Sequence, residues 1–116
     1  MNWGNIRFNY QEAFRLLLNE KHWVWQDDNQ EVCYTHEMDS FVNTRDLYTF
    51  FDEQKIYIDI HYHWEYQKET RIWFAWKILS KQGFKTAQEP YFSRTEAEEK
   101  AFEKAFSILE EKLGEK

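Results

Sequence analysis

Residues 56–66 read Ile-Tyr-Ile-Asp-Ile-His-Tyr-His-Trp-Glu-Tyr, and residues 71–79 read Arg-Ile-Trp-Phe-Ala-Trp-Lys-Ile-Leu. In the first stretch Ile56, Ile58, Ile60, Tyr62, Trp64 and Tyr66 fall on every second position, with Tyr57, Asp59, His61, His63 and Glu65 between them. Successive side chains of a strand point to opposite faces, so a period of two predicts a β-strand with one greasy and one wetter face. The second stretch repeats the pattern, with Ile72, Phe74, Trp76 and Ile78 set against Arg71, Trp73, Ala75, Lys77 and Leu79. The polar break Gln67-Lys68-Glu69-Thr70 is short enough to close a hairpin, although it lacks the Asn-Gly or Asp-Gly of a two-residue turn.

Register follows from parity. Directly paired residues on antiparallel strands share a face, so the two even-numbered sets can lie together only if paired numbers sum to an even value. That requires an odd loop, of three or five residues, and pairs Tyr62 with Phe74 or with Trp76. A four-residue loop would set Trp64 among polar neighbours unless a bulge restored the phase.

Elsewhere along the chain the signals are more local. Asn9 followed by Glu12 reads as the capping-box start of a helix over about 10–20, with Tyr10, Phe14, Leu17 and Leu18 on its buried face. Residues 22–26 and 31–35 read as short strands around Asp27-Asp28-Asn29-Gln30. Thr44 can cap a helix over about 45–53 that puts Leu47, Phe50 and Phe51 on one side; a strand through Leu47 to Phe51 is the rival reading. Ser80-Lys81-Gln82-Gly83 reads as a turn, Phe84 to Gln88 as a returning strand, and Pro90 as its end. Ser93 with Glu96, and Thr95 with Glu98, open a last helix. Its apolar stripe is Ala97, Ala101, Phe102, Ala105, Phe106, Ile108, Leu109 and Leu113, and Gly114 is placed to cap its end. The expectation is a single α+β domain over residues 1–116: an antiparallel sheet of about four or five strands with the N- and C-terminal helices packed on its even-numbered face.

The bulk numbers bound the class. At 116 residues a split would leave pieces too small to bury a core, and 20% aromatic content with one proline and three glycines argues for a packed chain rather than a disordered one. The net charge of −6 is uneven: residues 22–54 carry eight acids against Arg45, and residues 55–95 carry seven bases against four acids. The whole chain should repel nucleic acid and anionic membrane at long range, while a basic strip could act at short range. One cysteine, Cys33, cannot form an intramolecular disulfide, no secretory signal opens the chain, and the longest apolar run, Ile72 to Trp76, is far short of a membrane span. A cytoplasmic protein without membrane attachment is expected.

The ending Tyr91-Phe92-Ser93-Arg94-Thr95-Glu96-Ala97-Glu98, running into Ala101 and Ala105, resembles the close of many small uncharacterised proteins of Bacteroides-type bacteria and of their phages and mobile elements. Those proteins similarly open with an amphipathic helix of the Ala-Phe-Arg-Leu-Leu-Leu kind. The resemblance implies a bacterial or phage accessory protein. The order helix, strands, helix also resembles the double-stranded RNA-binding domain. That family's final helix needs a serine with a cluster of lysines, whereas residues 93–98 hold one base and two acids.

Candidate chemistry centres on the odd-numbered face of the hairpin. Asp59, His61, His63 and Glu65 point one way, and two histidines roughly 6–7 Å apart along a strand could share a zinc ion with Asp59 or Glu65 as third ligand. No Cys-x-x-Cys or His-Glu-x-x-His motif accompanies them. Cys33 near His36 sits among acids, which weakens a thiolate nucleophile, and no calcium loop or glycine-rich phosphate loop is present. Tyr57, His61, His63, Arg71, Trp73 and Lys77 together interleave rings with cations, as a contact surface does. Otherwise a helix covers this face and Trp73, Ala75 and Leu79 are core. The expected function is that of a small non-enzymatic protein-interaction module without cofactor, its partner an unidentified protein or a second copy in a homodimer. The alternatives are single-stranded nucleic-acid binding through the hairpin and a zinc-dependent site at His61 and His63.

Overall fold

The computed structural model describes residues 1–20, 42–66, 70–87 and 89–114. Among them the chain is α+β, with four helices and one antiparallel three-stranded sheet in the order β1-β2-β3. In chain order these are α1 (Trp3–Asn9), α2 (Gln11–Glu20), α3 (Thr44–Glu53), β1 (Tyr57–Tyr66), β2 (Thr70–Ser80), β3 (Gly83–Thr86) and α4 (Arg94–Gly114). Three strands, not four or five, are therefore present among the described residues; the strands expected at 22–26 and 31–35 lie outside them. The chain divides into two compact units, Met1–Phe50 with Phe106–Lys116, and Phe51–Ala105.

The first unit is built on rings. Trp3, Ile6, Phe14, Leu17, Leu18, Leu47, Phe50, Phe106 and Leu109 are all buried. Trp3 meets the edge of Phe106 at 6.0 Å between centroids and lies tilted 6.3 Å from Phe14, while Phe50 sits 6.5 Å from Phe106. Such offset and edge-on pairs bring the positive ring rim to a negative ring face.

Helix α1 was not anticipated from the sequence. Asn2 caps it by accepting from the Asn5 N–H at 3.1 Å, so the first helical turn begins seven residues before the expected start. The opening of α2 also differs from the expected Asn9–Glu12 capping box. Its first amides donate instead to a residue far along the chain: Glu12 N–H to Glu110 Oε1 at 3.2 Å, and Ala13 N–H to Glu110 Oε2 at 2.8 Å. A carboxylate suits the orphan donors and the positive dipole end of a helix. No local motif can reveal a cap supplied from 98 positions away.

Residues 44–53 are helical, which decides against the rival strand. The cap is Asn43, one residue before the expected Thr44: its Oδ1 accepts from the Asp46 N–H at 2.8 Å, and Asp46 Oδ2 accepts from the Asn43 N–H at 3.3 Å. This reciprocal pair is a capping box with Asp in place of Glu. The C-terminus is a Schellman motif. Ile56 N–H donates to Phe51 O at 2.9 Å, Lys55 N–H donates to Asp52 O at 3.0 Å, and Lys55 adopts a left-handed φ of 60°.

In the second unit the hairpin has the register parity demands. Tyr62 pairs with Phe74 and Tyr66 with Thr70, leaving three residues between the strand ends. β2 then turns through Lys81 and Gln82 into β3, with Gly83 at φ 99°, where a β-carbon would be strained. The returning strand is Gly83–Thr86, shorter than the expected Phe84–Gln88. Ser93 caps α4 by accepting from the Glu96 N–H at 3.1 Å, as its spacing predicts. Ile56, Trp76, Ile78, Ala97, Ala101, Phe102 and Ala105 are buried, and Phe51 stacks on Phe102 at 6.2 Å. At the far end of α4, Leu113 is partly exposed and Gly114 is still helical, so neither fills its expected role there.

The greasy side of the hairpin is buried along only part of its length. Ile56, Trp76 and Ile78 are sealed, but Tyr62, Trp64 and Ile72 are 57%, 53% and 52% exposed. Alternation tells which side chains share a face; it does not tell how far along the strand the cover reaches. Helix α4 begins at Arg94, whose guanidinium lies over the Phe74 ring at 5.6 Å. Beyond that point, towards the tip, the even-numbered face opens.

Candidate functional site

A groove lies on the odd-numbered face of the hairpin in the second unit. Its volume is about 580 Å³, within the range of ligand sites. Local pairing creates it. Thr86 pairs with Lys77, a number sum of 163, and the Ala87 N–H donates to Trp76 O at 3.0 Å, continuing that sum. Tyr91 then bridges Phe74, a sum of 165, exchanging both backbone hydrogen bonds at 2.6 and 2.9 Å. The chain between Ala87 and Tyr91 therefore carries two residues more than the ladder can pair, and Pro90, which has no N–H to give, is one of those left over. Glu89 and Pro90 form part of the wall that faces β2.

On the floor, Arg71, Trp73, Ala75 and Lys77 follow one another on the same face of β2, and all four line the groove. Ala75, the smallest, makes the hollow. It pairs with His61 on β1, and Trp73 pairs with His63. The His63 ring stacks on Trp73 at 5.5 Å with 17° between planes, and His61 meets His63 edge-on at 4.8 Å. His61 Nδ1 is buried without a hydrogen-bond partner, with Asp59 Oδ2 3.9 Å away. Thr86 and Phe92 close the far side.

Of the six residues expected at a site, His61, His63, Arg71, Trp73 and Lys77 come together around this groove. Tyr57 does not. It sits at the other end of the sheet, in register with Leu79, which is in register with Phe84; all three are exposed and form a row across the three strands. Lys77 stands between the two regions, its ammonium 5.9 Å from the Phe84 ring. Trp73 and Ala75 are half-buried, so the groove is recessed rather than sealed.

The opposite wall was missed. The sequence pattern places Thr86 within the returning strand and Pro90 at its end, and gives Glu89 and Phe92 no part in a site. Phe92, 80% exposed immediately before the helix cap, lines this wall, and no local pattern in the sequence distinguishes it from a ring tucked under its helix. No three His, Cys, Asp or Glu side chains converge to hold a metal ion among the described residues, so the two histidines have no third ligand there. No described helix is long and apolar enough to cross a membrane. No protein-family model, curated protein or solved structure matches the chain.

Proposed function

We propose that this chain is a small non-enzymatic protein-interaction module that grips its partner with the odd-numbered face of the β1–β2 hairpin. The observation that carries this reading is the convergence of two histidines, a tryptophan, an arginine and a lysine on one open groove. Tryptophan and arginine are the residues most often found as energetic anchors of protein interfaces, where a recessed ring excludes water around itself. The exposed row Tyr57, Leu79 and Phe84 continues the apolar surface beside it. His61 and His63 make ring contacts with each other and with Trp73, an arrangement suited to stacking rather than to activating a nucleophile.

The test is a comparison of three immobilised proteins: the wild type, Trp73→Ala, and Phe8→Ala as a control outside the hairpin. A partner retained by the wild type and by Phe8→Ala but lost from Trp73→Ala, with its cross-links falling on residues 61–77, supports the reading. Identical retention by all three overturns it. Single-stranded nucleic acid is the second reading, favoured by the stacked His63–Trp73 pair beside two cations. Saturable binding of an oligothymidylate at low salt, abolished by Trp73→Ala, would establish it.

A further inference from the structure

We infer that the groove takes an extended peptide of about six residues with an acidic side chain near each end and a bulky apolar one at its centre. This rests on the interaction reading above and names the partner's chemistry.

The argument is one of spacing. Arg71 and Lys77 both line the groove and lie six positions apart on β2, roughly 20 Å along an extended strand. No compact small molecule reaches both, whereas an extended peptide of about six residues does. Between the two cations the floor is Ala75, flanked by Trp73, with Phe92 lining the opposite wall; this part suits a large apolar side chain. The cations at the two ends then meet carboxylates. Exposed pairs of that kind act on register and orientation more than on affinity, in competition with the acids of β1 in register with the two cations, Glu65 with Arg71 and Asp59 with Lys77.

Spacing also separates a peptide from a nucleic acid. A single strand carries a negative charge at every nucleotide, so its inner phosphates would lie over the central stretch. Glu89 stands in the wall there, between Ala87, which bonds to Trp76, and Tyr91, which bonds to Phe74. A peptide can be acidic at its ends and neutral in the middle; a polynucleotide cannot. The net charge of −6 adds to the repulsion of a polyanion.

The experiment is selection of a displayed random hexapeptide library on the full chain, repeated on Arg71→Glu/Lys77→Glu and on Trp73→Ala. All three positions lie on the exposed or half-exposed face, and circular dichroism checks that each variant is folded. The expected result is enrichment of sequences with Asp or Glu towards both ends and a large apolar residue between. A synthetic peptide of the enriched sequence should bind at least about tenfold more weakly to the double charge reversal, and more weakly as salt is raised. Enrichment of peptides without acids, or equal binding by the double variant, overturns this inference and leaves the interaction reading standing, provided Trp73→Ala abolishes capture. Failure to enrich any peptide overturns this inference, and saturable binding of an oligothymidylate hexamer that is lost in Trp73→Ala overturns the interaction reading as well.

Discussion

Removing the Glu110 carboxylate should loosen the start of α2 and cost the protein about 1–2 kcal/mol. Both of its oxygens are engaged, one by the Glu12 N–H at 3.2 Å and the other by the Ala13 N–H at 2.8 Å. A side chain that caps a helix is worth about 1 kcal/mol, and a negative charge at the N-terminal end of the dipole adds about 0.3–1 kcal/mol. The longer, exposed hydrogen bond from the Glu12 N–H adds little. Against these stands the better helix propensity of alanine inside α4, a gain of a few tenths of a kcal/mol. The net for Glu110→Ala is then a loss of about 1–2 kcal/mol, and for Glu110→Gln, which keeps one acceptor but no charge, about half as much. Urea titration with an unchanged slope measures the loss, and hydrogen exchange at the Glu12 and Ala13 amides locates it. If both variants unfold within about 0.3 kcal/mol of the wild type, the amides are served equally well by water. The idea that a distant carboxylate fixes this helix end then fails.

Three further outcomes follow from the same packing. Lys55→Gly should stabilise by about 1 kcal/mol, because it relieves a side chain held at left-handed φ in the Schellman motif; a melting temperature no higher than wild type refutes this. Ala101→Leu should cost about 1–3 kcal/mol by forcing extra methylenes into the fully buried seam of α4, read by chemical denaturation; unchanged stability would mean that the seam has slack. Ile72→Lys should fall within about 0.5 kcal/mol of wild type while Ile78→Ala loses about 2–5 kcal/mol, although both isoleucines belong to the same even-numbered set. Equal losses at the two positions would contradict a face that is covered at one end and open at the other.

The fold was legible wherever its signal is local and periodic. Alternation and parity together predict an odd loop with Tyr62 opposite Phe74 or Trp76, of which the first is found, and Ser93–Glu96 spacing predicts the start of α4. Leu47, Phe50 and Phe51 share a buried side as a helix requires. Legibility ended where a distant group replaces the local one. Glu110 serves α2 in place of Asn9, and Arg94 marks where cover over the hairpin begins; neither relation leaves a mark within a window of ten or fifteen residues. Helix α1 escaped for a related reason. With buried positions only at Trp3 and Ile6, it spans too few turns to display a stripe, and its stability comes from the Trp3 ring lodged against Phe14 and Phe106.

The groove was half legible, and the missing half has a single physical cause. A strand pattern assigns Arg71, Trp73 and Lys77 to one face with His61 and His63 opposite, because the period of two leaves them nowhere else to go. It says nothing about whether that face is flat. What turns a flat face into a groove is the pair of surplus residues before Tyr91, and their effect depends on β3 pairing from Gly83 to Thr86 and on Tyr91 bonding back to Phe74. Proline at position 90 hints that regular pairing stops, but a proline that ends a strand and one that stands inside a bulge look alike in sequence. The distinction rests on whether the next residue rejoins the ladder. Tyr91 rejoins it with two hydrogen bonds, which holds Glu89 and Pro90 as a wall instead of releasing them as a linker.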